Sequence, residues 1–449
     1  MKISKYTFLF DCKNSEFYIY NTLSNALVEL DKSSYEYLSN LKDSKEISQK
    51  ELDPELYKVL VTKKFITEND QDDFLLYKSV ITLQRSSKSM MHLTIAPTMD
   101  CCFKCNYCFE KYKKPGNMTE EIMDAIVNYL NSLESKPDIA VTWFGGEPLM
   151  AIDHIEKLYD KFVEHYKKPT KSDVVTTGFH ITEKTIEIFK RIGVSQIQIT
   201  LDGLKETHNA VKYTVGCDDA FTKVLDNAEL VMSLAPEINV VFRVNITKLN
   251  ADEYVPLYKQ LVSRYNKYSN YGISPGIIMK RGACNIESAN SQIFFSPKEN
   301  AEFNLDLYHK HQIFTVFMKY PERFFQECAI RNVLSISFDP EGYAYKCWEV
   351  IGNKEYSIGK LNEAGQLTEI NEKVLNRHLY GADPIDDPVC SKCKFLPICH
   401  GGCPIQRIEN KFEDGNNCSC TYYKDYIAEF LKIHIARKKA QEALESKES

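Results

Sequence analysis

The chain has 449 residues, of which 43% are hydrophobic and 12% aromatic. This composition excludes a disordered, collagen-like or coiled-coil protein and is sufficient for a large core. A formal net charge of −6 disfavours general nucleic-acid binding, which needs a basic face. No apolar run approaches the ~18 residues of a membrane span, and Asp11 interrupts a short N-terminal apolar stretch. We therefore expect a cytoplasmic protein with neither a membrane nor a nucleic-acid partner.

Cysteine is the most informative residue type in this chain. There are 15 cysteines, an odd number and a high one for a cytoplasmic protein. The cytosol keeps thiols reduced, so a disulfide framework is disfavoured and metal binding is the usual alternative. The spacing of the cysteines should therefore indicate which metal they bind.

The N-terminal region combines short strand-like runs with helical patterns. The runs lie at 6–10, 17–20 and 26–30; one helix is predicted to start after the N-cap Asp31, and another has Pro54 in its first turn. Together they predict a small winged-helix-like domain over residues 1–85. Acidic residues outnumber basic ones through residue 80, which disfavours a DNA-reading role.

Strand-like and helical patterns alternate from residue 91. The strand-like segments are 92–96, 139–144, 173–177, 196–201, 239–245 and 276–279, and the helical patterns fall around 119–134, 153–166, 182–192, 220–233 and 251–266. Repeated β/α units predict a parallel sheet with right-handed crossovers, either open or curled into a partial barrel. The active site of such a sheet lies at the C-terminal ends of its strands.

The alternation stops after about residue 325, where cysteines concentrate. A closing amphipathic helix carries Ile427, Leu431 and Ile435 at a spacing of four residues. It leads into a charged tail, residues 436–449, which we expect to fray.

Cys101, Cys105 and Cys108 form a CX3CX2C loop directly after the first strand of the β/α region. Such a loop can bind three irons of a [4Fe-4S] cube and leave the fourth iron without a protein ligand. A structural zinc site needs four closed ligands, commonly from paired CX2C units, so zinc fits this loop poorly.

The loop, with the aromatic Tyr107 before its last cysteine, resembles that of the radical S-adenosylmethionine (radical SAM) enzymes. The resemblance implies an α/β fold, a partial (β/α)6 TIM-type barrel, over residues 88–325. In that family the amino and carboxylate groups of S-adenosylmethionine chelate the open iron. It follows from the resemblance that Cys101, Cys105 and Cys108 initiate a radical that removes an unactivated hydrogen from the substrate.

A second motif of the same family follows the second strand. Gly145 and Gly146 would let the backbone approach a ligand closely, and the carboxylate of Glu147 can accept a hydrogen bond from an ammonium group. In the family, the Gly-Gly-Glu motif binds the methionine amino group of the cofactor. The resemblance therefore implies that these residues bind S-adenosylmethionine.

Further cofactor contacts are implied at the ends of later strands. By resemblance, Thr177 and Thr200 lie near the ribose, and Tyr107 packs near the adenine or shields the cube. The chain departs from the family at the third strand, where Thr-Gly-Phe179 stands in place of the usual Thr-Asn-Gly. Asp202 is interpreted either as a turn residue before Gly203 or as a cofactor contact.

The C-terminal cysteines resemble the SPASM extension, in which seven cysteines bind two auxiliary [4Fe-4S] clusters, here over residues 326–435. The spacing is Cys328, then Gly342-X4-Cys347, then Cys390-X2-Cys393-X5-Cys399-X3-Cys403, then Cys418 and Cys420. The resemblance assigns an outer set, Cys390, Cys393, Cys399 and Cys420, with Cys418 as the alternative last ligand. It assigns an inner set, Cys328, Cys347 and Cys403, to the other cluster.

The inner set lacks a ligand that some SPASM enzymes have. Those enzymes supply a fourth cysteine just upstream of the first, yet residues 310–327 contain none. An open, thiophilic iron at this cluster could bind a substrate thiolate, as expected for an enzyme that makes thioether links. Cys284 is the alternative, as a fourth ligand from this chain.

The remaining candidates have simpler interpretations. Cys12, Cys102 and Cys217 are predicted to be small packing residues. His400 is predicted to be a bystander, because a four-cysteine site needs no histidine.

The resemblance directs the functional hypothesis to peptides. Known SPASM substrates are precursor peptides that receive thioether or carbon-carbon crosslinks, and sulfatases whose active-site residue becomes formylglycine. Sulfatase-maturing relatives place an aspartate after the GX4C cysteine, where this chain has Trp348 followed by Glu349. The N-terminal unit also resembles the leader-recognition element of precursor-peptide maturases, which binds the leader as an added strand. The alternative is a cap that only packs on the barrel.

The resulting prediction is a radical SAM/SPASM maturase that joins a cysteine sulfur to a carbon of a precursor peptide with a leader. It implies three [4Fe-4S] clusters, S-adenosylmethionine and an electron donor such as flavodoxin or ferredoxin. The alternatives are carbon-carbon crosslinking, maturation of a sulfatase or another folded protein, and, from a different class, a non-catalytic iron-sulfur electron carrier.

Overall fold

The computed structural model describes residues 1–12, 15–41, 46–105, 108, 114–214, 216–278, 293–321 and 328–448. Over these residues we find three connected regions: an N-terminal unit, a central β/α region and a C-terminal cysteine-rich region. None of the helices described is both long enough and apolar enough to cross a membrane.

The N-terminal unit holds two small antiparallel sheets and three helices. Its elements are β1 (Lys2–Ile3), β2 (Thr7–Cys12), β3 (Glu16–Asn21), β4 (Ala26–Leu30), α1 (Lys32–Ser39), α2 (Pro54–Thr62), β5 (Ile66–Thr67) and α3 (Asp70–Arg85). One sheet has the order β2-β3-β4, and the other pairs β1 with β5. The predicted starts of α1 and α2 are confirmed, since Asp31 caps α1 through Ser34 N and Pro54 opens α2.

Helix α3 was not predicted from the sequence, because two of the four residues on its buried face are charged. That face carries Asp73, Tyr77, Ile81 and Arg85 at a spacing of four residues. Leu75, Leu76 and Leu83 are exposed instead. The charged residues have partners outside the helix: Lys64 approaches Asp73 at 3.5 Å, and Arg85 pairs with Asp383.

The central region confirms the predicted parallel sheet. Its strands are β6 (Met90–Ile95), β7 (Asp138–Trp143), β8 (Lys171–Thr176), β9 (Val194–Leu201), β10 (Asn239–Ile246) and β11 (Tyr271–Ile277), joined side by side in chain order. All five pairings between them are parallel. Along β6 to β10, buried residues alternate with partly exposed ones, so one face packs on helices and the other stays accessible.

Helices between the strands cover the buried face. They are α4 (Glu120–Ser132), α5 (Ile152–His165), α6 (Glu183–Arg191), α7 (Lys205–Val211), α8 (Ala220–Leu234), α9 (Tyr254–Tyr265) and α10 (Pro297–His311). Five of them match predicted helices within a few residues, whereas α7 and α10 were not predicted. Strand β11 begins five residues before its predicted start, because residues 271–277 pair with β10 despite Gly272, Ser274 and Pro275.

The C-terminal region extends the same sheet instead of forming a separate one. Its elements are β12 (Ile336–Phe338), β13 (Tyr343–Tyr345), β14 (Gly359–Leu361), β15 (Leu367–Thr368), α11 (Glu372–Asn376), α12 (Leu396–Cys399), α13 (Pro404–Phe412) and α14 (Ile427–Glu448). β12 pairs in parallel with β6, and β13 to β15 follow in antiparallel order. The cysteine-rich region is therefore joined to the first strand of the β/α region by backbone hydrogen bonds.

Helix α14 continues through the predicted tail as far as Glu448. The tail residues are good helix formers, and Lys438 and Glu442 form an i,i+4 ion pair at 3.7 Å. Lys439 also reaches Glu16 of the N-terminal unit at 2.8 Å. The helix thus ties the C-terminus to strand β3.

The N-terminal unit is docked on the cysteine-rich region through polar and aromatic contacts. Thr22 Oγ1 donates to Lys394 O at 2.6 Å, and the rings of Phe8 and Phe395 lie 5.1 Å apart. His400 Nδ1 lies 3.0 Å from the hydroxyl of Tyr77 on α3. This contact gives His400, a predicted bystander, a role in joining the two regions.

Candidate active site

The cysteine loop and the Gly-Gly-Glu segment are held together by backbone hydrogen bonds. Both follow adjacent strands, β6 and β7, and so meet at the C-terminal edge of the sheet. Gly146 N donates to Thr98 O at 3.2 Å, and Glu147 N donates to Asp100 O at 2.8 Å. The residue before Cys101 is therefore fixed by the second strand's loop.

The two glycines are required by this close approach. A Cβ atom on Gly145 would lie 2.4 Å from Thr98 O, and one on Gly146 would lie 2.3 Å from Asp100 O. Gly145 also has φ of +113°, which L side chains rarely adopt. The sequence predicted an approach to a ligand; the structure shows that the glycines approach the start of the cysteine loop.

Glu147 is fully buried and joins the second strand's loop to the third. Its Oε1 atom accepts hydrogen bonds from Leu149 N at 3.0 Å and Thr176 Oγ1 at 2.6 Å. Its Oε2 atom accepts from Thr177 N at 2.7 Å and Thr177 Oγ1 at 2.6 Å. These four bonds use the acceptor positions of the carboxylate, so a ligand ammonium would have to replace one of them.

The third strand's loop also supports the cysteine loop through aromatic packing. Phe179, the residue that departs from the family pattern, packs edge to face on Phe103 at 5.3 Å. The ammonium of Lys223 lies 3.8 Å from the centre of the Phe179 ring. Asn227 Nδ2 donates to the carbonyls of Gly178 and Phe179. The substitution thus fills space beside the cysteine loop.

A buried lysine at the end of α7, which the sequence analysis missed, meets the end of the fourth strand. Lys212 Nζ donates to Thr200 O at 2.7 Å and lies 3.7 Å from Asp202 Oδ2. Both side chains are 3% exposed. Asp202 Oδ1 accepts from Asn245 Nδ2 at 3.3 Å. The available sequence signal was Asp202 directly after a strand, with Lys212 ten residues further on. Their burial as a pair depends on partners that the fold supplies.

Cys105 lies within electrostatic reach of the other two thiols of the loop. Burial raises the pKa of the Cys105 thiol to about 12, and Lys212 opposes this rise. Asp202 and the thiols of Cys101 and Cys108 add to the rise. Iron binding requires the thiolates, so it must displace these protons.

No three His, Cys, Asp or Glu side chains converge on a single metal ion in the part of the chain that is described. The cysteine loop nevertheless fits a cube, because the thiolates of a [4Fe-4S] cluster bind different irons. Thr177 and Thr200, the predicted ribose contacts, are partly exposed at the ends of adjacent strands. Tyr107 and Cys284 lie outside the described residues.

The outer set of cysteines is gathered around Cys399. Burial raises the pKa of the Cys399 thiol to about 11, and the thiols of Cys393 and Cys420 add to that rise. Cys393 likewise raises the pKa of Cys390, where burial is the main cause. Cys420 is thus among the thiols that act on Cys399, and it also interacts with its neighbour Cys418.

The inner set is arranged around a shared cavity and a shared apolar cluster. Cys328 and Cys347 line one cavity of about 600 Å³. Cys347 and Cys403 pack against the same group of buried residues, which includes Ile330 and Ile405. The three predicted inner ligands therefore occupy one part of the C-terminal region.

The remaining cysteines behave as predicted. Cys12, Cys102 and Cys217 are partly buried and pack against the main hydrophobic core. Cys102 adjoins the cysteine loop, where a hydrogen bond with Cys101 and then burial raise the pKa of its thiol.

Residues 95–261 match the family model of the Radical SAM superfamily. This match and the fold identify a radical SAM domain over these residues, and the homologues that carry this domain are enzymes. The family implies a [4Fe-4S] cluster and S-adenosylmethionine. Both fit the cysteine loop and the adjacent strand ends.

Two curated relatives and one crystal structure illustrate the similarity. A cysteine-type anaerobic sulfatase-maturating enzyme of Clostridium novyi is 23% identical, over 76% of this chain and 95% of its own. The radical SAM cyclopropyl synthase TigE of Paramaledivibacter caminithermalis is 22% identical, over 96% of this chain and 95% of its own. Streptococcus suis SuiB bound to precursor peptide SuiA has a TM-score of 0.54 at 15% identity, covering 93% of this chain and 99% of that one.

Proposed function

We propose that this protein is a peptide maturase that joins a cysteine sulfur to a carbon atom of a ribosomally made precursor peptide. The observation that carries the proposal is the cavity of about 600 Å³ beside the inner set. Its lining includes Cys328 and Cys347 of the C-terminal region together with Thr94 of β6 and Thr142 of β7. A single compartment thus adjoins both the predicted inner cluster and the accessible face of the radical SAM sheet.

The bound cluster and S-adenosylmethionine would supply a 5'-deoxyadenosyl radical that removes a hydrogen atom from the peptide. The chain's own residues fix where this happens. Glu147 locks the loops after β7 and β8 together, and the Gly145-Gly146 backbone anchors the start of the cysteine loop. Rigid strand ends of this kind keep the reacting groups aligned.

The inner set is proposed to receive the substrate thiolate. Cys328, Cys347 and Cys403 are three ligands, and residues 310–327 add no cysteine. A cube held by three thiolates keeps one iron for an external ligand, and thiolate is a preferred ligand of iron. Cys284 remains the alternative fourth ligand.

The N-terminal unit is proposed to recognise the leader of the precursor peptide. Strand β4 pairs with β3 on one side, and no described strand pairs with its other side. An extended peptide can add to such an edge through backbone hydrogen bonds. The similarity to TigE and SuiB over nearly the whole chain supports this assignment, because the sulfatase-maturating relative matches only 76% of it.

Trp348 favours crosslinking over formylglycine formation. It directly follows Cys347, where sulfatase-maturing relatives carry the aspartate proposed as a base. Its ring stacks on Phe144 at 5.4 Å. An indole cannot accept a proton as a carboxylate does, although Glu349 is the neighbouring residue. Carbon-carbon crosslinking is the second candidate, since it needs the same radical but no bound thiolate.

The experiment combines cofactor cleavage with analysis of the product. Full-length protein prepared without oxygen is incubated with S-adenosylmethionine and dithionite, and 5'-deoxyadenosine is measured. If none forms, the protein is not a radical SAM enzyme, and the alternative of an iron-sulfur electron carrier applies. Coexpression with a cysteine-containing peptide encoded next to this protein should give a loss of two hydrogens per link. Cysteine alkylation then separates the products, because a thioether consumes the thiol and a carbon-carbon link leaves it.

The matched control for both assays replaces Cys101, Cys105 and Cys108 with alanine. This variant should form neither 5'-deoxyadenosine nor product. A formylglycine product from the intact protein would contradict the crosslinking assignment. A crosslinked peptide that retains all its alkylatable thiols would assign carbon-carbon chemistry instead.

A further inference from the structure

We propose that Arg407 sets the reduction potential of the auxiliary cluster held by the outer set. The inference rests on the proposed assignment of Cys390, Cys393, Cys399 and Cys420 as ligands of that cluster. It goes beyond that assignment, because Arg407 is not a ligand. The structural basis is a hydrogen bond from Arg407 Nη1 to Cys390 Sγ at 3.3 Å.

All three nitrogen atoms of the Arg407 guanidinium have partners. Besides Cys390 Sγ, Nη2 donates to Asp387 Oδ2 at 3.0 Å and Nε donates to Ala382 O at 2.9 Å. The side chain is only 11% exposed. The planar group is therefore fixed in orientation, and its N–H bond to sulfur does not depend on a freely rotating side chain.

Asp387 fixes the backbone of the same proposed ligand, Cys390. Its Oδ1 atom accepts hydrogen bonds from the backbone nitrogens of Val389 and Cys390, each at 2.9 Å. Arg407 and Asp387 together thus fix both the backbone and the sulfur of Cys390. Second partners of this kind orient a metal ligand and adjust its electronic properties.

Arg407 also lies on the element that connects the two cysteine sets. Helix α13 begins immediately after Cys403, an inner-set residue, and Arg407 N donates to Cys403 O at 3.2 Å. From this position its side chain reaches the outer-set residue Cys390. Arg407 therefore contacts one residue of each proposed ligand set, Cys403 through its backbone and Cys390 through its side chain.

The expected effect follows from charge. Reduction by one electron adds one negative charge to the cluster and its thiolates. A cation that is hydrogen-bonded to one of the sulfurs stabilises this reduced form. Hydrogen bonds to sulfur and local charge are established determinants of iron-sulfur potentials. Arg407 should therefore make the outer cluster easier to reduce.

The test measures midpoint potentials by redox titration followed by electron paramagnetic resonance on the full-length, anaerobically reconstituted protein. The outer cluster's signal is identified by its loss in Cys390→Ala. Arg407→Gln should shift this potential to a more negative value, and Arg407→Lys should shift it less. Lys411→Gln is the control, because it removes one charge from the same helix at an exposed position.

The outcomes separate the inference from the proposal beneath it. If Cys390→Ala keeps the iron content and signals of the unmodified protein, the outer set holds no cluster, and both fail. If the cluster is present but Arg407→Gln retains full iron and the same potential, the inference alone is overturned. If Arg407→Gln loses the cluster, Arg407→Lys decides: a more negative potential supports the role, and an unchanged potential contradicts it.

Discussion

Trp348 stacks on Phe144 with the ring centroids 5.4 Å apart and the ring planes inclined by 16°. Phe144 immediately precedes Gly145 and Gly146, whereas Trp348 immediately follows the inner-set residue Cys347. The pair therefore joins the Gly-Gly-Glu loop of the radical SAM domain to the proposed inner cluster. Trp348 is 41% exposed and lines the cavity beside that cluster. It is thus placed to contact a peptide in the cavity.

Trp348→Ala should impair peptide modification more than cofactor cleavage. Loss of the indole ring from the cavity lining should weaken binding of the peptide in the transition state by about 1.4 kcal/mol. This corresponds to roughly a tenfold lower kcat/KM for the peptide. Formation of 5'-deoxyadenosine without peptide should change by less than about twofold, because the backbone bonds from Gly146 to Thr98 and from Glu147 to Asp100, which hold the cysteine loop, do not involve the indole. Trp348→Phe, which keeps a ring, is the matched control. Equal kcat/KM in the alanine variant would contradict a substrate contact.

Gly145→Ala should selectively remove the cluster of the CX3CX2C loop. The added Cβ would lie 2.4 Å from Thr98 O and would displace the backbone that leads to Cys101. We expect a loss of about four irons per chain, together with loss of S-adenosylmethionine cleavage, while iron on the auxiliary cysteines is retained. Iron analysis of the reconstituted protein measures this.

Gly193→Ala is the control for this substitution. Gly193 also has a positive φ, +67°, but a Cβ there would meet nothing within 4 Å. It therefore introduces backbone strain without a steric clash, and full iron content is expected. Iron loss in both variants would show that the effect comes from general destabilisation.

Local spacing made most of the candidate site predictable. The cysteine loop, the Gly-Gly-Glu segment and the outer set are short motifs whose members lie close in sequence. The alternation of strands and helices likewise predicted the parallel sheet, because the buried faces of β6, β7, β9 and β10 are apolar. What these patterns have in common is that each is encoded within one or two neighbouring elements.

Features that depend on distant partners could not be predicted in this way. The buried face of α3 contains Arg85, whose carboxylate partner Asp383 is 298 residues away. Lys212 is buried only because Thr200 and Asp202 of the preceding strand end meet it. In both cases a charged residue, which is normally read as exposed, lies inside because the fold supplies its partner.

Thr177→Val should destabilise the chain more than the loss of an ordinary surface hydroxyl. It removes the 2.6 Å bond to the buried carboxylate of Glu147 and leaves that group with one donor fewer. Bonds to a charged group contribute about 1.5–3 kcal/mol, so a fall of about 2 kcal/mol in the free energy of unfolding is expected. Urea unfolding of the full-length protein measures it.

Thr82→Val is the matched control, because the Thr82 hydroxyl donates to Lys78 O on an exposed helix face. Its expected cost is below about 0.5 kcal/mol. Equal losses in the two variants would contradict a special role for the Glu147 network. A normal affinity of Thr177→Val for S-adenosylmethionine would further place Thr177 outside the cofactor site.

His208 should make stability depend on pH below neutrality. Its ring is fully buried against Phe221 at 5.4 Å, and neither ring nitrogen has a hydrogen-bond partner within the described residues. Burial, aided by Lys212, lowers the pKa of His208 from 6.5 to about 3. As the pH falls below 6.5 the unfolded chain takes up a proton that the folded chain does not, so stability is lost progressively until about pH 3. At pH 5 the loss is about 2 kcal/mol.

His208→Phe should remove this component while preserving the packing. Urea unfolding at pH 7.5 and at pH 5 gives the free energy of unfolding of the variant and of the unmodified protein. Between these two pH values the difference should change by about 2 kcal/mol in favour of His208→Phe. An unchanged difference would mean that the folded chain protonates His208 as readily as the unfolded chain does.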